Sequence, residues 1–218
     1  MHSSNEQDPH QGQPVLRAGL PPSQARLGLL LVHGRGGSAT DMLALARELR
    51  ANDVAIRSPQ AFAHTWYPHS FLAPIEQNEP WLSSALRALE QQLESFEQKG
   101  LPADRVVMLG FSQGACLTLE LAARRPRRYA GVVGLSGGVI GPPGMVREPA
   151  GSMQGTPLFL GCSDHDPHIP VSRVYETADL FRSLEACVDL RVIANMGHTV
   201  IPEEIQAAMA MLATVPPR

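Results

Sequence analysis

The sequence predicts a single α/β domain with a mainly parallel central sheet covered by helices on both faces. Short continuous apolar runs, typical of strands buried on both sides, alternate with longer amphipathic segments that are typical of helices. The 19 glycines and 19 prolines separate these segments at short intervals, which argues against a helix bundle. A length of 218 residues suits one domain of this class.

Composition excludes several classes of protein. With 44% hydrophobic and 18% charged residues, the chain can bury a sizeable core and is not expected to be disordered. The formal charge of −3 gives no basic surface for nucleic acid. No apolar run reaches the roughly 18–20 residues of a membrane span, so integral membrane association is not expected. The 3 widely spaced cysteines and the polar first residues favour a reducing cytoplasm.

The N-terminal elements follow from local pattern. Residues 1–25, with many Pro, Gln and Ser, predict a mobile arm with one edge strand near 14–18. The run LGLLLV over Leu27–Val32 ends at His-Gly and predicts a buried strand. Residues 38–49 combine a Ser or Thr cap with apolar residues at helical spacing, so they predict a helix. Residues 54–57 predict a short strand that ends at Ser-Pro.

The middle of the chain contains the longest connector. Residues 60–80 carry several prolines, which predicts an irregular segment in place of a long helix. Residues 81–98 have leucines at helical spacing and end before Gly100, so they predict an amphipathic helix. The run VVMLGF over Val106–Phe111 predicts the next buried strand, and residues 113–125 predict the helix after it.

The remaining elements continue the alternation. Strands are predicted at Gly131–Leu135, 157–160 and 189–193, helices at 171–186 and from 202 or 203 to 212, and a Gly- and Pro-rich loop at 137–155. Alternating strands and helices predict a parallel sheet in one domain spanning residues 26–218, with no large lid domain.

Chemically useful residues follow four of the predicted strands. The segment HGRGG follows the first strand, Ser112 follows the third, DHDPH (residues 164–168) follows the fifth, and His198 follows the last. Ligands bind at the carboxyl ends of the strands in such a sheet. Ser, Asp and His follow one another along the chain in the same order as in hydrolases that have a nucleophile elbow.

The pattern Gly-x-Ser-x-Gly occurs twice, around Ser112 and around Ser136. A nucleophile elbow needs a strand before the serine and a helix directly after it. Ser112 has both, whereas Ser136 is followed by GGVIGPPG, which cannot continue as a helix. We therefore predict Ser112 as the nucleophile and Ser136 as a strand-end residue beneath the site.

A serine hydroxyl needs a base that removes its proton during attack. Three histidines follow Ser112, and two of them, His165 and His168, lie too close to the candidate carboxylates to sit across an imidazole from them. We therefore predict His198 as the base. The alternative is that His198 is a surface histidine without a catalytic role.

The carboxylate that orients the imidazole is either Asp164 or Asp166. Prolines at positions 167 and 170 stiffen the loop that presents Asp166, which favours Asp166. Asp164 is then the turn residue, because Asp suits tight loops.

The oxyanion of an acyl-transfer intermediate needs two preorganised N–H donors. We predict the backbone N–H groups of Gln113 and Arg35, with His33 supporting the loop that contains Arg35. The alternative for HGRGG is a phosphate-binding loop, but the segment lacks both GxGxxG and the lysine of a P-loop.

The segments LLVHGRGGSA, VVMLGFSQGACLTLELA, DHDPHIP and NMGHTVIPEEI resemble the phospholipase/carboxylesterase family of α/β-hydrolases, which includes acyl-protein thioesterases. The resemblance covers roughly residues 27–212. It implies the α/β-hydrolase fold, the catalytic residues Ser112, Asp166 and His198, and an oxyanion hole from the Arg35 and Gln113 amides. Eukaryotic thioesterase members tend to have Gly-Leu-Gly-Asp where this chain has Gly-Arg-Gly-Gly, a difference that favours small-ester hydrolysis.

The substrate predicted for such a site is a small-molecule ester with a short to medium acyl chain. The aromatic residues of the connector, Trp66, Tyr67 and Phe71, are expected to wall an open pocket; alternatively they pack beneath the loop. The functional alternatives are a thioesterase or lysophospholipase, and, from another class, a non-catalytic hydrolase-fold binding protein.

No metal or cofactor is expected, because the sequence offers no three convergent His or carboxylate ligands. An apolar rim around the site would suit a homodimer.

Overall fold

The computed structural model describes residues 8–50, 52–148 and 150–218. Within these residues the chain forms a seven-stranded sheet in the order β1-β3-β2-β4-β5-β6-β7. The strands are β1 (Val15–Gly19), β2 (Leu27–Val32), β3 (Val54–Pro59), β4 (Val106–Phe111), β5 (Gly131–Leu135), β6 (Pro157–Ser163) and β7 (Cys187–Ile193). β1 pairs antiparallel with β3, and the other neighbouring strands are parallel. The predicted α/β class with a mainly parallel sheet is confirmed.

Helices cover both faces of this sheet. They are α1 (Ala39–Glu48), α2 (Trp81–Glu97), α3 (Gln113–Arg124), α4 (Val171–Ser183) and α5 (Pro202–Thr214). α2, α3 and α4 contribute to one hydrophobic cluster, and α1 and α5 contribute to another on the opposite face. The predicted two-sided cover is therefore present.

Strand β2 shows why its sequence is apolar throughout. All six of its residues are buried, with Leu30 and Val32 in the first cluster and Leu29 and Leu31 in the second. Successive side chains of a strand point to opposite faces, so a central strand between two helical layers needs apolar residues at every position. Full burial of one such leucine stabilises the fold by about 1.5–3 kcal/mol.

Two element boundaries differ from the prediction, one at a strand and one at a helix. β6 continues three residues beyond 160, because its pairing with β7 extends to Ser163 opposite Ile193. α4 ends at Ser183, three residues before the predicted end, where Glu185 has a positive φ of 62° and the chain turns into β7.

The predicted edge strand near 14–18 is present as β1. Residues 1–7 of the predicted N-terminal arm lie outside the described residues. Residues 8–14 lie against the connector and α2, and His10 is buried. None of the helices in the described ranges has the length and apolar character that a bilayer crossing requires.

Candidate active site

Ser112 occupies the tight turn between β4 and α3. Its backbone has φ 55° and ψ −121°, a conformation that costs a non-glycine residue on the order of 1–3 kcal/mol. Two hydrogen bonds hold this turn: the Ser112 N–H donates to the Leu135 carbonyl (2.9 Å), and the Cys116 N–H donates to the Ser112 carbonyl (3.0 Å). The strained turn thus presents the Ser112 hydroxyl at the carboxyl end of the sheet.

The two glycines of the motif allow the elbow to close. A Cβ on Gly110 would overlap the carbonyl oxygen of Gly114, and a Cβ on Gly114 would overlap the carbonyl oxygen of Val32. In both cases the obstacle is backbone, which cannot move without separating α3 from the sheet. The steric requirement at these two positions is the physical reason for the Gly-x-Ser-x-Gly spacing.

A chain of two hydrogen bonds joins Ser112, His198 and Asp166. Nε2 of His198 lies 2.8 Å from Oγ of Ser112, and Nδ1 of His198 lies 2.7 Å from Oδ2 of Asp166. The Asp166 side chain is fully buried, and its Oδ1 accepts the backbone N–H groups of His168 (2.8 Å) and Ile169 (3.0 Å). These two donors fix the orientation of the carboxylate toward the imidazole.

Asp164 lies in the same loop but has other partners. Its Oδ1 accepts the backbone N–H of Asn195 (2.8 Å) and lies 2.9 Å from Nδ1 of His165. The Asn195 hydrogen bond and the His165 side chain lower the pKa of Asp164. Asp164 therefore ties the loop after β6 to the loop after β7, and the structure brings Asp166 to His198 instead.

The second serine of the repeated motif, Ser136, lies directly after β5. Its N–H donates to the Gly161 carbonyl (2.7 Å), and its side chain is fully buried. The Ser136 hydroxyl has no hydrogen-bond partner among the residues that the structure describes. Its position agrees with the prediction of a strand-end residue.

The loop that contains the predicted oxyanion donor Arg35, which we call the oxyanion loop (residues 33–37), is held by hydrogen bonds to the Gly34 carbonyl. The Gly34 carbonyl accepts hydrogen bonds from Nδ1 of His33 (2.7 Å) and from the Gly37 N–H (3.1 Å). In a trans peptide the N–H points opposite to the carbonyl, so the Arg35 N–H is directed away from the His33 ring. Within the described ranges, neither the Arg35 N–H nor the Gln113 N–H donates to another protein group.

The tautomer of His33 follows from its two partners. Nε2 accepts the Ala61 N–H (3.0 Å), so the proton of the neutral ring is on Nδ1 and is donated to Gly34. Burial lowers the pKa of His33, which favours this neutral form. His33 supports the loop, as its sequence position predicts.

The side chains of Arg35 and Gln113 have a role that the sequence does not reveal. The Arg35 guanidinium donates to the carbonyls of Tyr67, Pro68 and His69 at 2.8–3.0 Å. The Gln113 amide accepts the Trp66 N–H (2.9 Å) and donates to the Tyr67 carbonyl (2.8 Å). Both residues therefore fasten residues 66–69 of the connector over the site.

A cleft of about 520 Å³ opens next to Ser112. Tyr67 and Phe71 line it, and so do three residues that were not named as pocket residues from the sequence, Phe111, His168 and Ile169. The rings of Phe111 and His168 pack against His198, with centroid distances of 5.1 and 4.8 Å. These neighbours restrict the imidazole to its position beside Ser112.

The prediction for Trp66 is wrong. Trp66 is fully buried beneath the connector and does not line the cleft. Its indole N–H donates to the His33 carbonyl (2.8 Å), and its ring packs between the rings of His10 and His33. For this residue the alternative applies, because an aromatic side chain in a loop can equally well anchor the loop to the core.

A buried carboxyl group lies at the start of α5, below the site. Glu204 is fully buried, and burial raises its pKa to about 7, opposed by a hydrogen bond from the Ile201 N–H. Its Oε1 has no hydrogen-bond partner in the described part of the chain. The protonated form of Glu204 is therefore favoured in the folded protein below about pH 7.

We expect this group to make stability depend on pH. The pKa of Glu204 in the folded protein lies above its ordinary value of 4.5, so the stability that the protonated group contributes is fully present below pH 4.5 and is lost as pH rises through about 7. Glu204→Gln should therefore raise the free energy of unfolding at pH 8 by about 1–3 kcal/mol and leave it almost unchanged below pH 4.5. Urea unfolding across this range measures the difference. Glu203→Gln, on the exposed side of the same turn, is the matched control; equal pH profiles for both variants would contradict the assignment.

The chain is similar to several known proteins. A family model described as phospholipase/carboxylesterase matches residues 20–215. A crystal structure of a phospholipase/carboxylesterase from Dyadobacter fermentans DSM 18053 is 37% identical, covers 93% of this chain and 97% of its own, and has a TM-score of 0.89. Acyl-protein thioesterase 1 from Saccharomyces cerevisiae is 25% identical over 220 residues, which cover 88% of this chain and 93% of that protein.

A carboxylesterase from Bacillus cereus shares the fold at 18% identity, with a TM-score of 0.74 over 96% of this chain and 97% of its own. The family model spans nearly the whole described domain, from the residue after the edge strand β1 to the end of α5. The chain therefore belongs to the phospholipase/carboxylesterase family and has the α/β-hydrolase fold.

Proposed function

We propose that the protein is a serine carboxylesterase that cleaves esters of short to medium acyl chains through an acyl-enzyme intermediate. Its family comprises esterases and thioesterases, which sets the reaction class. The observation that carries the proposal is the hydrogen-bonded chain from Ser112 through His198 to Asp166. No metal or cofactor enters the proposed reaction.

In the acylation step, Oγ of Ser112 attacks the ester carbonyl carbon while Nε2 of His198 takes the hydroxyl proton. The carbonyl oxygen becomes an oxyanion that accepts hydrogen bonds from the Arg35 and Gln113 N–H groups. Asp166 keeps the proton of His198 on Nδ1 and stabilises the imidazolium. His198 then donates the proton to the departing alcohol, and an acyl-Ser112 ester remains.

In the deacylation step, His198 removes a proton from a water molecule that attacks the acyl-Ser112 carbonyl. The second tetrahedral intermediate uses the same two N–H donors. Its collapse releases the carboxylic acid, and His198 returns the proton to Oγ of Ser112. The same two steps serve an ester, a thioester or a lysophospholipid, because only the leaving group differs.

Labelling with a fluorophosphonate tests this assignment. The reagent phosphonylates an activated serine, so mass spectrometry should find the adduct on the peptide containing Ser112 and none on the peptide containing Ser136. Absence of an adduct on Ser112 would exclude the enzyme and would favour the alternative, a hydrolase-fold binding protein.

The size of the cleft predicts the preferred acyl chain. A cleft of about 520 Å³ is in the usual range for a small ligand. We expect kcat/KM for p-nitrophenyl esters to be highest at roughly four to eight acyl carbons and to fall for longer chains. A preference for long, emulsified triglycerides would contradict this expectation.

The similarity to a yeast acyl-protein thioesterase makes thioester hydrolysis the second candidate. A matched pair of substrates with the same acyl group, one an oxygen ester and one a thioester, decides between them. The proposed function predicts the higher kcat/KM for the oxygen ester; a thioester preference would assign the second candidate.

A further inference from the structure

The segment before β1 makes specific contacts with the connector over the site. Nδ1 of His10 accepts the Phe62 N–H (3.2 Å), so the ring proton is on Nε2, which donates to the Trp66 carbonyl (2.9 Å). The His10 N–H donates to Oγ of Ser84 on α2 (2.9 Å). His10 is 4% exposed, so both ring nitrogens form these bonds away from water.

Trp66 contacts both His10 and the oxyanion loop. Its indole packs against two imidazole rings, with centroid distances of 5.3 Å to His10 and 5.0 Å to His33. The indole N–H donates to the His33 carbonyl at 2.8 Å. A displacement of Trp66 would therefore displace His33.

His33 completes the series of contacts. Its ring orients the Gly34 carbonyl, and the Gly34–Arg35 peptide in turn directs the Arg35 N–H. His10, Trp66 and His33 are all buried, and closely packed interiors transmit small displacements because they contain few voids.

We propose that His10 is a positioning residue for the oxyanion hole and acts on the Arg35 N–H through Trp66 and His33. The inference rests on the proposed function, because it assigns the Arg35 N–H to the oxyanion. Loss of one oxyanion donor costs about 10²–10³ in rate, so a donor that is displaced but still present should cost about tenfold.

Two substitutions of His10 separate its hydrogen bonds from its ring. His10→Phe keeps an aromatic ring against Trp66 and loses the two hydrogen bonds of the imidazole ring, to the Phe62 N–H and the Trp66 carbonyl. His10→Gln keeps a donor at the position of Nε2 and should restore the bond to the Trp66 carbonyl. For His10→Phe we expect kcat to fall about tenfold with KM changed by less than about twofold, and for His10→Gln kcat within about threefold of the wild type.

Inhibition by a trifluoromethyl ketone distinguishes positioning from general loss of structure. The ketone forms a tetrahedral adduct with an oxyanion, so its inhibition constant should rise in His10→Phe by the same factor by which kcat/KM falls. Tyr129→Phe is the matched control, because it removes a partly buried hydrogen bond to the Arg125 carbonyl (2.8 Å) just before β5, at the other end of the strands. It should lose stability without loss of kcat per active site.

Hydrogen exchange supplies a readout that does not require activity. Amides of residues 33–37 should exchange faster in His10→Phe than in Tyr129→Phe. If the wild type neither hydrolyses esters nor reacts with fluorophosphonate, the proposed function fails, and exchange alone decides whether His10 positions the loop. If the wild type is active, the inference is overturned when His10→Phe matches Tyr129→Phe in kcat and in the inhibition constant. It is also overturned when KM rises in His10→Phe and kcat is unchanged.

Discussion

Replacing Ser112 by alanine is expected to lower kcat/KM for a p-nitrophenyl ester by about 10⁶-fold, because the variant has no nucleophile for the acyl-enzyme route. Removal of the base in His198→Ala should cost a similar factor, since the two side chains act as one unit. The double variant should then lose no more than the single variants lose. Rates per folded protein, measured at saturating and low substrate, test both statements.

Ser136→Ala is the internal control for this experiment, because Ser136 stands in the second copy of the same motif. Its hydroxyl is buried and has no hydrogen-bond partner among the described residues. We expect kcat within about threefold of the wild type and a free energy of unfolding that is unchanged or up to about 1 kcal/mol higher. Loss of activity in Ser136→Ala with retention in Ser112→Ala would reverse the assignment of the nucleophile.

Asp166→Asn is expected to lower kcat by about 10⁴-fold while the protein stays folded. An amide has the size of the carboxylate, but its NH₂ group can donate to Nδ1 of His198. It would then favour the tautomer with the proton on Nε2, where the ring cannot accept the Ser112 proton. The pH dependence of kcat and a thermal unfolding curve would distinguish this effect from loss of structure.

Asp164→Asn provides the matched control, since it removes the same charge two positions earlier in the same loop. The new side chain keeps an oxygen that can accept the Asn195 N–H, so kcat should stay within about fivefold of the wild type. If the two variants lost equal activity, the role assigned to the Asp166 carboxylate would be wrong.

Elements with a strong local pattern are predictable from the sequence in this chain. LGLLLV and VVMLGF have no polar face, which is the requirement for strands between two helical layers, and they form β2 and β4 at the predicted bounds. Ser112 and His198 follow from their positions after strands. The choice of Asp166 over Asp164 follows from loop stiffness and from the family resemblance, and the structure brings Asp166 to within 2.7 Å of His198.

Other features depend on contacts between distant segments, which local pattern does not contain. Trp66 and Tyr67 are neighbouring aromatic residues and both are buried in the core, yet only Tyr67 lines the cleft. The Trp66 indole N–H instead donates to the His33 carbonyl, 33 positions away. His10 lies in a polar stretch that predicts an arm, and its two ring partners, Phe62 and Trp66, are 52 and 56 positions distant. The connector attachment by Arg35 and Gln113 is likewise visible only in three dimensions.

The attachment of the connector by Arg35 and Gln113 has a consequence for attempts to broaden the substrate range by directed evolution. Grafting a connector with a different backbone path would displace the carbonyls that these side chains bind, and both residues also carry the N–H groups assigned to the oxyanion. Libraries that alter the backbone path of residues 66–69 should therefore trade turnover for acceptance of new acyl groups. Side-chain libraries at Ile169, which also lines the cleft, leave the attachments of Arg35 and Gln113 unchanged, and the Ile169 backbone N–H can still donate to Asp166.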